Sequence, residues 1–215
     1  MTPRETLLRG IGLLGLPAED DTLRRFDLYL RELEKWNSLF GLVGADGRDL
    51  VVRHVLDSLA GTGPISAERP RRLADIGSGA GFPGIPLAVY MPETSFTLVE
   101  PSRKRCAFLR SAAALMGLAN VRVFEGELEL VRDAFDIVTF RAFRPLDRRI
   151  LRRLAAILAP GGKIAAYKGR REKIGEETAA AEALGFRSRI EEVSVPFLDE
   201  PRHLVWLSIP PTPGS

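Results

Sequence analysis

The stretch Ala74-Asp75-Ile76-Gly77-Ser78-Gly79-Ala80-Gly81-Phe82-Pro83-Gly84 decides the fold. It opens in the short apolar run Leu73-Ala74 and precedes the apolar run Ile85–Tyr90. Such an order reads as strand, glycine-rich turn, helix. Glycines there let the backbone approach a bound molecule closely, while the first amides of the helix point at it. The dinucleotide fingerprint G-x-G-x-x-G needs a third glycine where this chain has Phe82, so that pattern fails. The pattern present is D-x-G-x-G-x-G, opening at Asp75.

Working outward, strands and helices alternate. SFTLVE (95–100), VRVFEG (121–126), FDIVTFR (135–141) and KIAAYKG (163–169) read as strands. SRKRCAFLRSAAALMG (102–117) reads as a helix capped by Gly117, and PLDRRILRRLAAILAPGG (145–162) as a helix stopped by Pro160 and two glycines. This alternation predicts βαβ units and a parallel sheet covered on both faces. The end differs. RSRIEEVSVPF (187–197) and HLVWLSI (203–209) are separated by no helix and predict an antiparallel hairpin at one edge. Before the sheet, Leu23, Phe26, Leu30, Leu33, Trp36 and Leu39 recur at helical steps, with Asp20 or Asp21 as cap. Val51, Val52, Val55, Leu56 and Leu59 give a second stripe, which Gly61, Gly63 and Pro64 end. The division expected is a helical segment over 1–66, a sheet domain over 67–210 and a disordered tail over 211–215. A parallel sheet closed by an antiparallel hairpin resembles the Rossmann-like class I methyltransferase fold, which uses S-adenosylmethionine (SAM) and has seven mainly parallel strands.

Composition narrows the classes further. With 215 residues, 45% hydrophobic and 27% charged, the chain is long enough for a core without disulfides. One cysteine and two histidines make a metal cluster unexpected. No apolar run approaches the roughly 18 residues of a membrane span, and the start lacks an apolar signal region, so the expected location is the cytoplasm. Net charge is only +3, but it is unevenly placed. Arg141 to Lys173 holds eleven bases against two acids, whereas residues 1–66 hold eight bases against ten acids. A concentration of this kind suits a polyanionic partner or a solvated face.

The loop fits SAM, which has no pyrophosphate, so Phe82 can pack on the ligand. Asp75, Gly77, Ser78, Gly79, Gly81 and Phe82 form the expected cofactor cradle. Glu100, 23 residues after Gly77, is placed to accept ribose hydroxyls. Leu158–Lys163 reads as a helix–turn–strand junction common in methyltransferases. Several motifs then occur in one order. They are Trp36-Asn37, Arg53-His54-Val55-Leu56-Asp57-Ser58, the loop, Arg103–Arg110, Arg141-Ala142-Phe143, Lys168-Gly169 and Arg202-His203-Leu204. On these, the chain resembles the bacterial 16S rRNA (guanine-N7)-methyltransferase family, RsmG or GidB, over nearly its whole length. The resemblance implies cofactor contacts at Gly77, Phe82, Leu128, Glu129 and Arg141. Phe82 stands where that family often has Leu, Glu100 where it often has Asp, and Glu127 where it usually has Arg, a reversed charge beside the adenine pocket.

The resemblance implies transfer of a methyl group from SAM to N7 of a guanine in 16S rRNA. N7 carries a lone pair and no proton, so no catalytic acid or base is expected, with positioning by Arg141 the one candidate role. The expected partner is 16S rRNA, the small subunit or its assembly intermediate, met by a monomer with no membrane. Arg144, Lys168, Arg170 and Arg171 are the expected RNA contacts, since loops at strand C-termini surround the ligand crevice. His54 and Asp57 either tie the helical segment to the sheet or line the cleft. Cys106 reads as a small buried hydrophobe, and His203 as a hydrogen-bonding partner across the final hairpin. Other readings are a SAM enzyme acting on another RNA or on a small molecule, a protein-directed SAM enzyme, a non-catalytic RNA-binding relative and, disfavoured by Phe82, a nicotinamide enzyme. Gly79→Val is expected to abolish SAM binding in a folded chain. Calorimetric titration with SAM, paired with circular dichroism of the variant, checks it.

Overall fold

The computed structural model describes residues 1–142, 146–169 and 171–210, without the side chains of residues 171–173. Seven strands form one sheet: β1 (Arg72–Ile76), β2 (Ser95–Glu100), β3 (Val121–Glu125), β4 (Phe135–Arg141), β5 (Leu158–Lys168), β6 (Arg187–Val193) and β7 (Arg202–Ser208). Their order is β3-β2-β1-β4-β5-β7-β6. The first five are parallel, and β7 enters antiparallel between β5 and β6. Fold and hairpin are therefore those expected. Between the strands run α6 (Gly84–Tyr90), α7 (Arg103–Met116), α8 (Arg148–Ala155) and α9 (Arg171–Glu182). Gly117 closes α7 in the left-handed conformation, a backbone geometry glycine adopts without a Cβ clash.

Four helical units precede the sheet: α1 (Pro3–Leu13), α2 (Asp20–Phe40), a continuous run over 47–59 and α5 (Thr62–Ala67). The run comprises α3 (Gly47–Leu50), a π-helical stretch Val51–Leu56 and α4 (Asp57–Leu59). Alternate residues of each strand serve opposite faces. Leu73, Phe96, Leu98, Ile137 and Ala165 share one cluster with Leu7, Phe26, Tyr29, Leu33 and Leu56 of the helical segment. Ala74, Val99, Val138, Phe140 and Ile164 face a second cluster with Leu151, Leu154 and Ile174 of α8 and α9. On the first face α6 and α7 lie against the strands, and the helical segment packs over them, α2 on α7 and α4 on α6.

Several sequence expectations are corrected. The N-cap of α2 is Glu19, while Asp20 and Asp21 sit in its first turn, where negative charge meets the helix dipole. Leu39 is 69% exposed, because the apolar stripe rotates off the core by the last turn. Gly61–Pro64 does not end the helical run. Pro64 lies in the first turn of α5, where its missing N–H leaves no intrahelical bond unmade. α8 stops at Ala155, and Leu158–Gly162 already belong to β5. Phe135 pairs with Leu158 but Ile137 with Lys163, so residues 159–162 bulge from the ladder, a place that tolerates Pro160. The helix α9 occupies a stretch for which the sequence predicts no element. The tail over 211–215 lies outside the described residues.

Tyr29 shows how α2 reaches the functional end. Its ring is fully buried against Phe82 and Phe108, and its hydroxyl donates to the carbonyl of Ala80, 2.5 Å away, in the glycine loop. Burial pushes its phenol well above the usual tyrosine range, so the hydroxyl remains a donor. Tyr29→Phe keeps the packing and strands the Ala80 carbonyl. Stability is expected to fall by about 1 kcal/mol, read from urea unfolding.

Candidate active site

The sheet order reverses between β1 and β4, and the crevice outside those strand ends is where an open α/β sheet holds its ligand. The loop after β1 frames it. The amides of Gly77 and Ser78 donate to the Val99 carbonyl at 2.8 and 3.2 Å, clamping the loop to β2. The Ser78 hydroxyl donates to the Asp75 carbonyl. Gly77 and Gly79 both have positive φ, at 69° and 57°. The glycines divide their work. A Cβ on Gly81 would strike Ile85 and Leu109, and one on Gly84 would strike Leu98 and Asp75, so those two serve close packing. A Cβ on Gly79 would meet only the Gly77 carbonyl, at 3.8 Å. Gly79 therefore borders open space at the crevice.

Glu100 closes β2 beside that space. One carboxylate oxygen accepts the Gly79 amide and the other the Ser102 amide, each at 2.9 Å. A carboxylate so held keeps acceptor capacity on both oxygens. An open glycine, a fixed carboxylate and a clamped loop fit the ribose and amino-acid portions of SAM. Leu128 and Glu129 lie on a 3-10 turn, Leu128–Leu130, after β3. Arg153 of α8 holds that turn, donating to the carbonyls of Leu128, Glu129 and Val131.

Other expected site residues stand differently. Asp75 is completely buried beneath the loop, where one oxygen accepts the Gly84 amide and the other has no hydrogen-bond partner. Burial raises its pKa to about 7, against the lowering effect of the Gly84 amide. Its carboxylate shapes the loop from below. Phe82 is only 5% exposed, and its ring packs on Tyr29, His54 and the Arg141 guanidinium. The ring therefore joins the loop to the helical segment. Cys106 is buried, its thiol donating to the Glu100 carbonyl at 3.1 Å, and burial raises its pKa. The His203 Nδ1 lies 2.8 Å from the Gly169 carbonyl beyond β5, so it bonds away from the β6–β7 hairpin.

Arg141 closes β4 and is drawn toward the helical run. Its guanidinium donates to the Arg53 carbonyl at 2.7 Å, to Asp57 at 2.8 Å and to His54 Nδ1 at 2.5 Å. The second oxygen of Asp57 accepts from Arg202 of β7 at 3.0 Å. Arg202 and Arg53 both pair with Glu200. His54 and Asp57 thus tie helix to sheet, and the π-helical stretch carries His54 to the arginine. Burial, with Arg141 and Arg53 close by, lowers the His54 pKa to about 4. The ring is neutral near pH 7, and its Nδ1 accepts. Arg202 and Tyr29 join the site without any sequence expectation. Arg202 was visible only as a motif letter, and Tyr29 only as one more ring in a helix.

Of the expected RNA contacts, Arg144 and Arg170 lie outside the described residues, as does the side chain of Arg171. Lys168 ends β5 at the crevice side, but its ammonium is paired with Glu177 at 2.6 Å and lies over Phe140. Among the described residues, no group of acids, histidines and cysteine is placed to hold a metal ion.

Fold and crevice together define a class I SAM-dependent methyltransferase. An O-methyltransferase from Bacillus cereus in complex with SAH superposes with a TM-score of 0.67, covering 94% of this chain and 96% of that one at 14% identity. A putative O-methyltransferase from Klebsiella pneumoniae gives 0.63 over 93% and 94% at 17% identity. At such identities the likeness is one of fold. The family model described as rRNA small subunit methyltransferase G (GidB) matches residues 22–205. Proteins named ribosomal RNA small subunit methyltransferase G are 36% identical in Treponema denticola, covering 95% of this chain and 94% of that one, and 39% in Ralstonia nicotianae, covering 95% of each. The chain belongs to the rRNA small subunit methyltransferase G family.

Glu100→Ala is expected to weaken SAM binding by about 1.5–3 kcal/mol, the range for hydrogen bonds to a charged group, as read by calorimetry. A second test concerns pH. The unfolded chain protonates His54 near 6.5, while the folded chain resists to about 4. Stability from this group is therefore full above 6.5 and is lost as pH falls toward 4. Asp75 acts oppositely, favouring the folded state as pH falls from about 7. His54→Gln keeps the Asp75 effect and removes the other. As pH falls from 6.5 to 4.5, its urea midpoint should shift upward relative to the wild type's.

Proposed function

We propose that this methyltransferase modifies N7 of a guanine in 16S rRNA, in the cytoplasm, without a general base. The observation that carries the reading is the chemistry of the crevice. The titratable groups around it are held in place: His54 Nδ1 accepts from Arg141, Asp57 is paired twice, Cys106 turns to a carbonyl, Glu100 accepts two backbone amides, and Asp75 is completely buried beneath the loop. An acceptor that must lose a proton would need one of them. Guanine N7 offers a lone pair and has no proton to lose.

When bound, SAM supplies a methyl group already activated by the sulfonium charge. Glu100 would take the ribose hydroxyls, the backbone around Gly79 would face the amino-acid portion, and Leu128–Glu129 would edge the adenine. The protein's work is alignment. Bringing two reactants into line and excluding water is worth up to roughly 7–11 kcal/mol. Arg141 acts here as a positioning residue through Phe82, since its ring contact holds the loop against the helical segment. Family membership supports small-subunit rRNA as substrate, and the N7 position rests on the resemblance of motifs and on the absence of a free base at the crevice among the described residues. Incubating the enzyme with labelled SAM and small-subunit RNA from cells lacking it should place one label on a guanine, sensitive to the cleavage chemistry of N7-methylguanine. Label on another base or position, or none, overturns the proposal.

A further inference from the structure

The basic run between Arg141 and Lys173 is only partly spent inside the protein. Arg141 is held by Asp57, Lys163 by Glu68, Lys168 by Glu177 and Arg153 by three carbonyls. The exposed face of α8 is different. Arg148 and Arg152 are exposed and have no ion-pair partner among the described residues, and Arg149 is 69% exposed with Glu129 at a loose 3.5 Å. With Arg153 and Ala156 they line a groove of about 470 Å³, whose wall opposite α8 is Glu129 of the 3-10 turn.

The first turn of this arrangement opposes the helix that carries it. Arg148 and Arg149 occupy the first turn, where the dipole disfavours cations, and Asp147 at the N-cap is already bonded to the Ile150 amide. Arg148 and Arg152, like Arg149 and Arg153, are like charges four residues apart, a destabilising spacing. Arg153 is explained by the turn it holds. Arg152 in the last turn suits the dipole and Arg149 has Glu129 nearby, but no described acid pairs with Arg148 or Arg152. Guanidinium forks on one face suit phosphate oxygens, which each can bind in a bidentate way.

We infer that the α8 face is a second RNA grip, in which Arg148 and Arg152 bind backbone phosphates of the rRNA while Arg149 flanks them. The inference rests on the rRNA methyltransferase reading. The groove shares Glu129 with the expected adenine edge, so RNA seated there runs beside the cofactor side of the crevice. Such contacts add affinity without reading sequence, and they are lost as salt rises.

The test uses the full chain, with wild type compared with R148Q/R152Q and R148A/R152A. Both pairs remove like-charge repulsion and spare Arg153, so thermal midpoints should not fall. Binding to small-subunit rRNA is measured across a KCl series, alongside SAM affinity and the kinetics of methyl transfer. The double variants should lower the slope of log Kd against log salt by about two, one per phosphate contact. KM for RNA should rise, while kcat at saturating RNA and Kd for SAM hold. Unchanged slope and KM overturn the grip while wild type still methylates RNA. Failure of the wild type itself to bind or methylate rRNA overturns the substrate reading, and the grip with it. Arg153→Gln gives a contrasting signature, since losing its carbonyl bonds should lower the thermal midpoint.

Discussion

Asp57 is the constraint around which the functional end is built. A carboxylate this buried is costly unless its charge is met on each side. Here it is met twice, by Arg141 from β4 and by Arg202 from β7. Those strands flank β5, and Asp57 comes from the helical segment, so one side chain joins three parts of the chain. Removing it would leave two guanidinium groups facing each other across a closed space. The neutral His54 completes the arrangement because it accepts from Arg141 and adds no further positive charge.

From this tie the crevice inherits its shape. Arg141 lies over Phe82, and Phe82 packs on Tyr29, whose hydroxyl holds the Ala80 carbonyl. The loop is therefore gripped from the helical side by an aromatic ring and a hydrogen bond. From the sheet side it is gripped by the Val99 carbonyl and the Glu100 carboxylate. The position of Gly79 faces open space. Rigidity on both flanks suits an enzyme whose contribution is alignment.

Charge placement follows a second logic. Bases at the ends of β4 and β5 are neutralised by acids of the protein, and they fasten elements together. Those on the outer face of α8 meet, among the described residues, one carboxylate for several guanidinium groups. Net charge of +3 conceals this split.

By itself, the sequence determined the sheet, the loop and the family. Alternation of apolar runs with helical stripes is local, and Gly77, Gly79 and Glu100 sit at spacings set by one strand–turn–helix–strand unit. Motif order from Trp36 to Leu204 carried the rest of the resemblance. Boundaries such as the end of α8 escaped because Pro160 reads as a stop, whereas a bulge in β5 absorbs it. Only tertiary structure decided which charges are free. Lys168 and Arg148 look alike in the sequence, but Glu177 lies within 2.6 Å of one and no described acid pairs with the other. Likewise Phe82 and Asp75 belong to a cofactor motif by spacing, yet three-dimensional packing turns the ring toward His54 and buries the carboxylate. Partners distant in sequence set those outcomes, and no local pattern encodes them.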